Sequence, residues 1–334
     1  MMDTAGLFHE QCVLVTGGTG SLGRRLVWEI LRAGAHRVVV LSRDEKKQYD
    51  MRKAIPDERL RLVIGDVRDF ARVAEVVRLT NPDIVIHAAA LKHVVGCEQH
   101  PLEAVKTNVL GAENVVRAAR GHGVTRLLVI STDKACLPLN VMGMTKALME
   151  RIALDAGYVA VRYGNVVGSR GSVVPFFRHL LEGGLTTLPL THPSMTRFLM
   201  TVGDAVELVF EALAHGLAGE LWVRRASCAR VRDVGTAVAR MLGKPDPEFR
   251  TIGFVHGEKF HETLVGAEER LRARELPVFT VVNPNAEGNL PPGDGEALRS
   301  DRGVMTIPQI VELLERAGRE FAECPVADGW FTKG

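Results

Sequence analysis

The residues best equipped for chemistry lie in one short stretch, Ser131-Thr132-Asp133-Lys134, followed eight residues later by Met142-Gly143-Met144-Thr145-Lys146. Two hydroxyls, a carboxyl and an amine emerge together there, a set able to exchange protons with a bound substrate. The apolar run Leu127-Leu128-Val129-Ile130 just ahead reads as a buried parallel strand. Open α/β sheets hold their ligands at the carboxyl ends of such strands. Lys146 falls in a helical pattern with Leu148, Met149, Ile152 and Ala153, which returns along the sheet.

A sheet must carry this stretch, and the chain supplies its strands in order. Cys12-Val13-Leu14-Val15-Thr16 is a short buried-strand pattern, and Gly17-Gly18-Thr19-Gly20-Ser21-Leu22-Gly23 follows at once. A helical stripe of Leu22, Leu26, Val27, Ile30 and Leu31 comes next. Strand, glycine turn and helix in that order make a dinucleotide fingerprint. The glycines let the backbone approach a pyrophosphate, whose charge suits the exposed N–H groups of the helix start. The second strand, Val38-Val39-Val40-Leu41, ends in Ser42-Arg43-Asp44. A hydroxyl and a guanidinium, where an NAD site carries a carboxylate, suit a 2′-phosphate and so NADP. A solvated charged loop is the alternative, since Asp44, Glu45, Lys46 and Lys47 run on from there.

Leu62-Val63-Ile64 leads into Gly65-Asp66-Val67, with Asp66 placed to reach an adenine. Asp83-Ile84-Val85-Ile86-His87 runs into Ala88-Ala89-Ala90, whose small side chains admit a flat ligand or ease helix–sheet packing. Lys92-His93-Val94 is polar where that strand opens towards the crevice, and Asn108 falls in the following helix. Val159-Ala160-Val161-Arg162 makes a sixth strand, running into Tyr163-Gly164-Asn165-Val166-Val167-Gly168. This alternation predicts an α/β fold, a doubly wound parallel (Rossmann) sheet over residues 10–168 with later segments returning to it. Residues 169–334 are expected to form a smaller α/β substrate-binding region and a C-terminal tail.

Regularity fades beyond Ser169. Residues 169–175 and 195–198 read as irregular segments flanking a helix, where Arg170 and Arg197 suit a phosphate-bearing ligand or simply a charged surface. Residues 257–262 are expected to begin a short helix. Residues 283–303, rich in glycine and proline, read as a long loop. Thr306 or a neighbour caps a last helix over residues 310–317, carrying Ile310, Leu313 and Leu314.

Composition narrows the function classes. The chain has 334 residues, 25% charged and 46% hydrophobic, with a net charge of +2. So even a balance gives no electrostatic reason to bind nucleic acid or an anionic membrane. Five scattered cysteines, none in C-x-x-C spacing, read as a reduced cytosolic compartment without a disulfide framework or metal site. Asp3, His9 and Glu10 ahead of the first strand do not read as a signal peptide. No apolar run reaches the roughly 20 residues needed to span a bilayer. Even residues 198–214 are broken by Asp204 and Glu207.

Taken together, the residues resemble the extended short-chain dehydrogenases that act on UDP-N-acetylglucosamine as inverting 4,6-dehydratases in polysaccharide and glycan biosynthesis. The matching stretches are residues 16–23, 42–45, 88–94, 106–108, 131–134, 162–175, 195–198 and 257–262, in order. Ser300-Asp301 and the final helix resemble the tail of one branch. The position four before the helix lysine, usually tyrosine in this class, is Met142. The run from Asn140 to Lys146 resembles the capsule-biosynthesis branch, which carries methionine there and pairs dehydration with inversion at C5. Two further segments depart from the family: Phe254-Val255-His256, where many relatives have arginine and proline, and Arg224-Arg225-Ala226-Ser227.

The resemblance implies a reaction and a site. NADP, tightly bound and regenerated each turnover, oxidises the C4 hydroxyl; C5 is deprotonated, the C6 hydroxyl leaves, and hydride returns to C6. Lys134 would be the C5 base, an amine whose pKa desolvation lowers, and Asp133 the acid at O6, needing a raised pKa. Thr132 would bind near O4 and Lys146 would hold the nicotinamide ribose. Met142 cannot take the C4 hydroxyl proton, which leaves Lys146, Thr132 through water, or Lys134. The implied cofactor residues are Gly17, Thr19, Gly20, Ser21, Leu22, Gly23, Ser42, Arg43, Asp66, Val67, Ala88, Ala89, Ala90, Lys92, Asn108, Lys146, Tyr163, Gly164 and Asn165. Those for the UDP-sugar are Lys92, His93, Asn165, Arg170, Ser172, Val173, Val174, Thr196, Arg197, Glu258 and Glu262. A cytoplasmic homo-oligomer, dimer or hexamer, is the implied assembly. The alternatives are a UDP-sugar 4-epimerase, a UDP-N-acetylglucosamine 5,6-dehydratase, and an inactive NADP-binding sensor.

Overall fold

Strand and helix alternate as expected in the computed structural model, which describes residues 6–254, 256–284 and 295–324. Val255 of the departing segment, residues 285–294 of the expected loop and residues 325–334 of the tail lie outside the described residues. Six strands come first: β1 (Cys12–Thr16), β2 (Arg37–Ser42), β3 (Leu60–Ile64), β4 (Ile84–His87), β5 (Arg126–Ile130) and β6 (Val159–Arg162). They take the order β3-β2-β1-β4-β5-β6, all parallel. The chain then lays down β7 (Asn165–Val166), β8 (Thr187–Leu190) and β9 (Thr196–Met200). It returns to the sheet with β10 (Leu221–Arg224), parallel to β6. After β11 (Ser227–Arg230), β12 (Glu248–Thr251) and β13 (Thr263–Val265), the antiparallel strands β14 (Ala273–Glu275) and β15 (Phe279–Val282) complete the edge. A last short strand, β16 (Leu298–Arg299), pairs with β13.

The helices are α1 (Ser21–Arg32), α2 (Glu45–Ala54), α3 (Phe70–Thr80), α4 (Val94–Gln99), α5 (Pro101–Ala104), α6 (Gly111–Gly121) and α7 (Val141–Asp155), followed by α8 (Val173–Glu182), α9 (Val202–His215), α10 (Val231–Met241), α11 (Ala267–Arg270) and α12 (Ile307–Ala322). Alternate strand residues feed two cores. Val13, Val15, Val38, Val40, Ile84 and Ile86 pack with α1 and α9 on one face. Leu14, Val39, Leu41 and Val85 pack with α3, α6 and α7 on the other. Both faces being covered, the strands read as continuous apolar runs. A third core joins α8, α10 and α12 in the second half.

Several sequence expectations change. Residues 257–262 form turns rather than a helix: Gly257 has a φ of 82°, and Glu262 exchanges two hydrogen bonds with Ser300 on entering β13. Residues 196–198 lie on β9 rather than on an irregular segment, held by pairing with β11 and β7. Val173 and Val174 open α8, where Val174 is buried in the third core. The last helix is longer than read, 307–322, and at its start the Thr306 N–H and hydroxyl donate to Gln309 Oε1 at 2.9 and 3.0 Å.

Candidate active site

The carboxyl ends of β1, β2, β4, β5 and β6 open on a cleft of about 610 Å³. It lies at the β1–β4 junction, where strand order reverses direction and such sheets leave a crevice. The glycine turn forms one wall. Gly17 has a φ of 68°, and a Cβ there would come 2.6 Å from the backbone of Ala89, so only glycine lets the turn lie against the end of β4. Helix α1 starts on Gly20, which offers no capping side chain; Gly20, Ser21, Leu22 and Gly23 all line the cleft. Thr19, Ala88, Ala89 and Ala90 line the same end.

Beyond β2 the cleft is bounded by Ser42 and Arg43. The buried Ser42 hydroxyl accepts from Gln48 Nε2 at 3.0 Å. Arg43 lies 3.5 Å from Asp66, whose other partner, Arg68, is 2.7 Å away. Burial acts to raise the Asp66 carboxyl, but hydrogen bonds from Arg68 prevail and hold it below its ordinary value. Asp66 and Val67 line the cleft, as does Lys47, whose backbone N–H caps onto Asp44 at 2.9 Å. Lys47 was hidden in a charged run; only its position on the first turn of α2 marks it.

The far side carries Lys92 and His93, with Tyr163, Gly164, Asn165, Arg170 and Ser172 opposite. Lys92 Nζ donates to the Arg170 carbonyl at 3.0 Å, and burial, then the charges of Arg170 and Lys47, push its amine down. Burial and Lys92 likewise lower His93. Ser169, Gly171 and Thr107 also line the cleft, none of them singled out from sequence.

Asn108 sits apart, fully buried in a π-helical turn over residues 105–110. Its amide accepts from Leu91 N–H at 2.8 Å and donates to the Leu91 carbonyl and to Thr145 Oγ1, both at 3.0 Å. It therefore ties the β4 end to α7, one residue from Lys146, without lining the cleft.

The stretch after β5 forms the cleft's inner wall. Residues 133–135 make a single 3-10 turn, started by Thr132, whose hydroxyl donates to Asp133 Oδ1 at 2.9 Å. Lys134 Nζ donates to the same oxygen at 3.0 Å. Asp133 is 0% exposed, and among the described residues its Oδ2 has no hydrogen-bond partner. Helix α7 packs directly on this turn: a Cβ on Gly143 would fall 2.2 Å from the Lys134 carbonyl. Asn140 caps α7 on Gly143 N–H at 2.8 Å while donating to the Gly257 carbonyl at 2.7 Å. Met142 lines the cleft with its thioether body packed among Cys97 and Ala104.

Electrostatics at the two lysines run opposite to expectation. Burial disfavours the Lys134 ammonium, but Asp133 and Glu262 outweigh it, and the amine is held above its ordinary value. The lowered amine is Lys146, pushed down to about 8 by burial with only Glu150 opposing. Its Nζ donates to the Ile130 carbonyl and contacts Met149 Sδ. His87, buried at the end of β4 with Nδ1 2.8 Å from Thr16 Oγ1, is pushed down to about 3 by burial and by Lys146. It stays neutral.

Six residues predicted for the sugar nucleotide do not line the cleft: Val173, Val174, Thr196, Arg197, Glu258 and Glu262. Three of them lie behind Lys134. Glu262 Oε1 is 3.3 Å from Lys134 Nζ and 4.0 Å from Arg197 Nε, and the buried Thr196 hydroxyl meets Ser300 Oγ at 2.7 Å. Among the described residues no group of three or more histidine, cysteine or acidic side chains is placed to hold a metal, and no helix is long and apolar enough to cross a membrane.

A glycine turn after β1, a Thr-Asp-Lys turn after β5 and a lysine on the returning helix are the architecture of the extended short-chain dehydrogenases. The chain belongs to the polysaccharide biosynthesis protein family, which matches residues 13–284. A protein named UDP-glucose 4-epimerase from Rickettsia prowazekii (strain Madrid E) is 41% identical over 322 residues, 92% of this chain and 91% of its own. Among solved structures, Pen from Bacillus thuringiensis superposes with a TM-score of 0.86 at 32% identity, covering 92% of this chain and 98% of its own. The UDP-glucose 4-epimerase of Thermus thermophilus, solved in complex with NAD, superposes with a TM-score of 0.64 at 27% identity, over 74% and 88%.

Proposed function

We propose that the protein converts UDP-N-acetylglucosamine to a UDP-4-keto-6-deoxy-hexose, with inversion at C5 and with NADP as a regenerated cofactor. The observation that carries this reading is the Asp133–Lys134 hydrogen bond of 3.0 Å on the wall of the cleft. Elimination across C5 and C6 needs a base for a carbon-bound proton and an acid for the leaving oxygen; moving hydride on and off C4 needs neither.

The cleft's residues fit a dinucleotide. The tight Gly17 turn, the uncapped start of α1 and the cations Arg43 and Lys47 match a pyrophosphate and a 2′-phosphate. Tyr163, Gly164, Asn165 and Lys146 would flank its nicotinamide end. When bound, the dinucleotide supplies the reversible hydride acceptor.

The protein's own groups then move protons. Lys134 rests protonated, so it first passes a proton to Asp133 Oδ1 along their hydrogen bond: an N–H bond breaks, an O–H bond forms, and a neutral amine faces a carboxylic acid. The amine takes the C5 proton, Asp133 gives its proton to O6, and water leaves. With hydride back on C6, C5 takes a proton from solvent on the face opposite Lys134, which inverts that centre and leaves Lys134 and Asp133 as they began. Of the groups able to take the C4 hydroxyl proton without a tyrosine, Lys146 has the pKa nearest neutrality, and we assign it that role. Arg170, Ser172 and His93 would hold the UDP-sugar. Leu102, Leu110, Met144 and Leu148, exposed on mutually packed helices, support a homo-oligomer.

A second reading, UDP-sugar 4-epimerase, has the names of close relatives in its favour. The two part in deuterated water. Wild-type protein given UDP-N-acetylglucosamine and NADP should yield a 4-keto-6-deoxy product with deuterium at C5 by NMR, unaided by any tyrosine at position 142. A C4 epimer without deuterium would sink the dehydratase reading.

A further inference from the structure

Glu262 lies outside the cleft, yet its carboxylate is 2% exposed and shared among three cations. Oε1 lies 3.3 Å from Lys134 Nζ and 4.0 Å from Arg197 Nε, and Oε2 lies 3.7 Å from Lys259 Nζ. Its backbone is fixed from a distant part of the chain: Glu262 N–H donates to Ser300 Oγ and its carbonyl accepts Ser300 N–H, both at 2.9 Å. The same Ser300 hydroxyl meets Thr196 Oγ1, which also meets His261 Nδ1 at 2.8 Å. Lys259 in turn donates to the Cys136 carbonyl at 2.6 Å, fastening this segment to the turn that bears Asp133 and Lys134.

A carboxylate this buried is costly unless something uses its charge. Its three cations balance it, and the one on the cleft is Lys134. We propose that Glu262 is a positioning residue for Lys134: with Asp133 it brackets the ammonium, fixing where the nitrogen sits and keeping its proton there until Asp133 takes it. This rests on the dehydratase reading for its catalytic consequence and goes beyond it in giving Glu262 a role that does not touch the sugar. The groups that face the ammonium are Asp133, Glu262 and Arg197, with the Tyr163 phenol near Asp133 and Lys259 behind Glu262. The carboxylates outweigh both Arg197 and burial, which is why the amine is raised.

The sign of the effect follows. The active pair shares one proton between Lys134 and Asp133. Removing the Glu262 anion makes that proton easier to lose, so the alkaline limb of activity moves to lower pH.

The test uses the protein with NADP bound and UDP-N-acetylglucosamine as probe. Glu262→Gln should shift the alkaline limb of kcat downward by about 1–3 pH units, with KM little changed, and Glu262→Asp should restore much of the wild-type profile. An unshifted profile with a raised KM overturns the proposal and makes Glu262 a substrate contact. In parallel, NMR of isotope-labelled lysine in the wild type, assigned with Lys134→Arg, should show Lys134 keeping its proton beyond the pH at which surface lysines lose theirs. Loss at lower pH overturns the proposal with no need for a Glu262 variant. Should the wild type make only a C4 epimer, the dehydratase reading falls, and the lysine titration still decides the role of Glu262.

Discussion

Arg162, the last residue of β6, forks between Glu150 on α7 at 2.7 Å and Glu269 on α11 at 2.8 Å, with 3% of its side chain exposed. A third partner, the Leu264 carbonyl at 2.9 Å, joins the same guanidinium to β13. One side chain thus ties the helix bearing Lys146 to the segment bearing Glu262. Glu150 lies one helical turn beyond Lys146 and is the charge that opposes burial there.

Replacing Arg162 with methionine leaves the buried Glu150 carboxylate and the part-buried Glu269 carboxylate without their cation. Breaking a buried pair from one side costs about 3–5 kcal/mol. Urea unfolding should show a loss in that range, and a loss below about 1 kcal/mol, the level of a surface pair, would contradict it.

The Asp133–Lys134 pair should separate into two phenotypes. Lys134→Ala should lose C5 exchange and dehydration together, by about 10²- to 10⁴-fold, while dinucleotide binding persists. Asp133→Asn keeps the shape but cannot give a proton to O6. It should still exchange the C5 hydrogen slowly while failing to expel the C6 hydroxyl. Full dehydratase activity in both variants would remove them from the mechanism.

Arg43 and Lys47 bound the end of the cleft where a 2′-phosphate would lie. Arg43→Ala should weaken NADP binding by about 1.5–3 kcal/mol, the value of one hydrogen bond to a charged group. NAD binding should change little, because among the described residues the Arg43 guanidinium pairs only with Asp66, at 3.5 Å. Calorimetry showing equal losses for both dinucleotides would end the case for NADP.

Lys146 makes a prediction about pH and stability. Its pKa is about 8 in the folded protein against 10.5 for an unperturbed lysine. Between those values the unfolded chain binds more protons than the folded one, so stability rises with pH across that window. Below about 8 the full cost of burying the ammonium is present. Lys146→Met should therefore unfold at a higher temperature than wild type at pH 6.5, without added dinucleotide, and the difference should shrink by pH 10. A difference independent of pH would show that the burial cost of the charge is not the cause.

Much of the frame was legible in the residues alone. Buried parallel strands are continuous apolar runs, so β1 and β6 were bounded to the residue and β2 to β5 to within about two, whereas β10, which joins the sheet from the second half, was not read. The glycine turn and the uncapped helix start are local too, and seven consecutive residues declare them. Met142 was equally plain, being a matter of identity at one position.

Two decisions belonged to the tertiary structure. Thr196, Arg197 and Glu262 were expected around a UDP-sugar, but β9 and the Ser300 clamp turn them behind Lys134, away from the cleft. That clamp joins residues 38 apart in the chain, a pairing no local pattern announces. The protonation of the lysines was decided the same way. Both are buried amines, and burial alone pushes an amine down, as it does at Lys146. Lys134 goes up instead because folding brings a carboxylate from β13's approach to within 3.3 Å of it, beside the one already next to it in sequence. A sequence names the charges, but their separations set the balance, and separations exist only once the chain has folded.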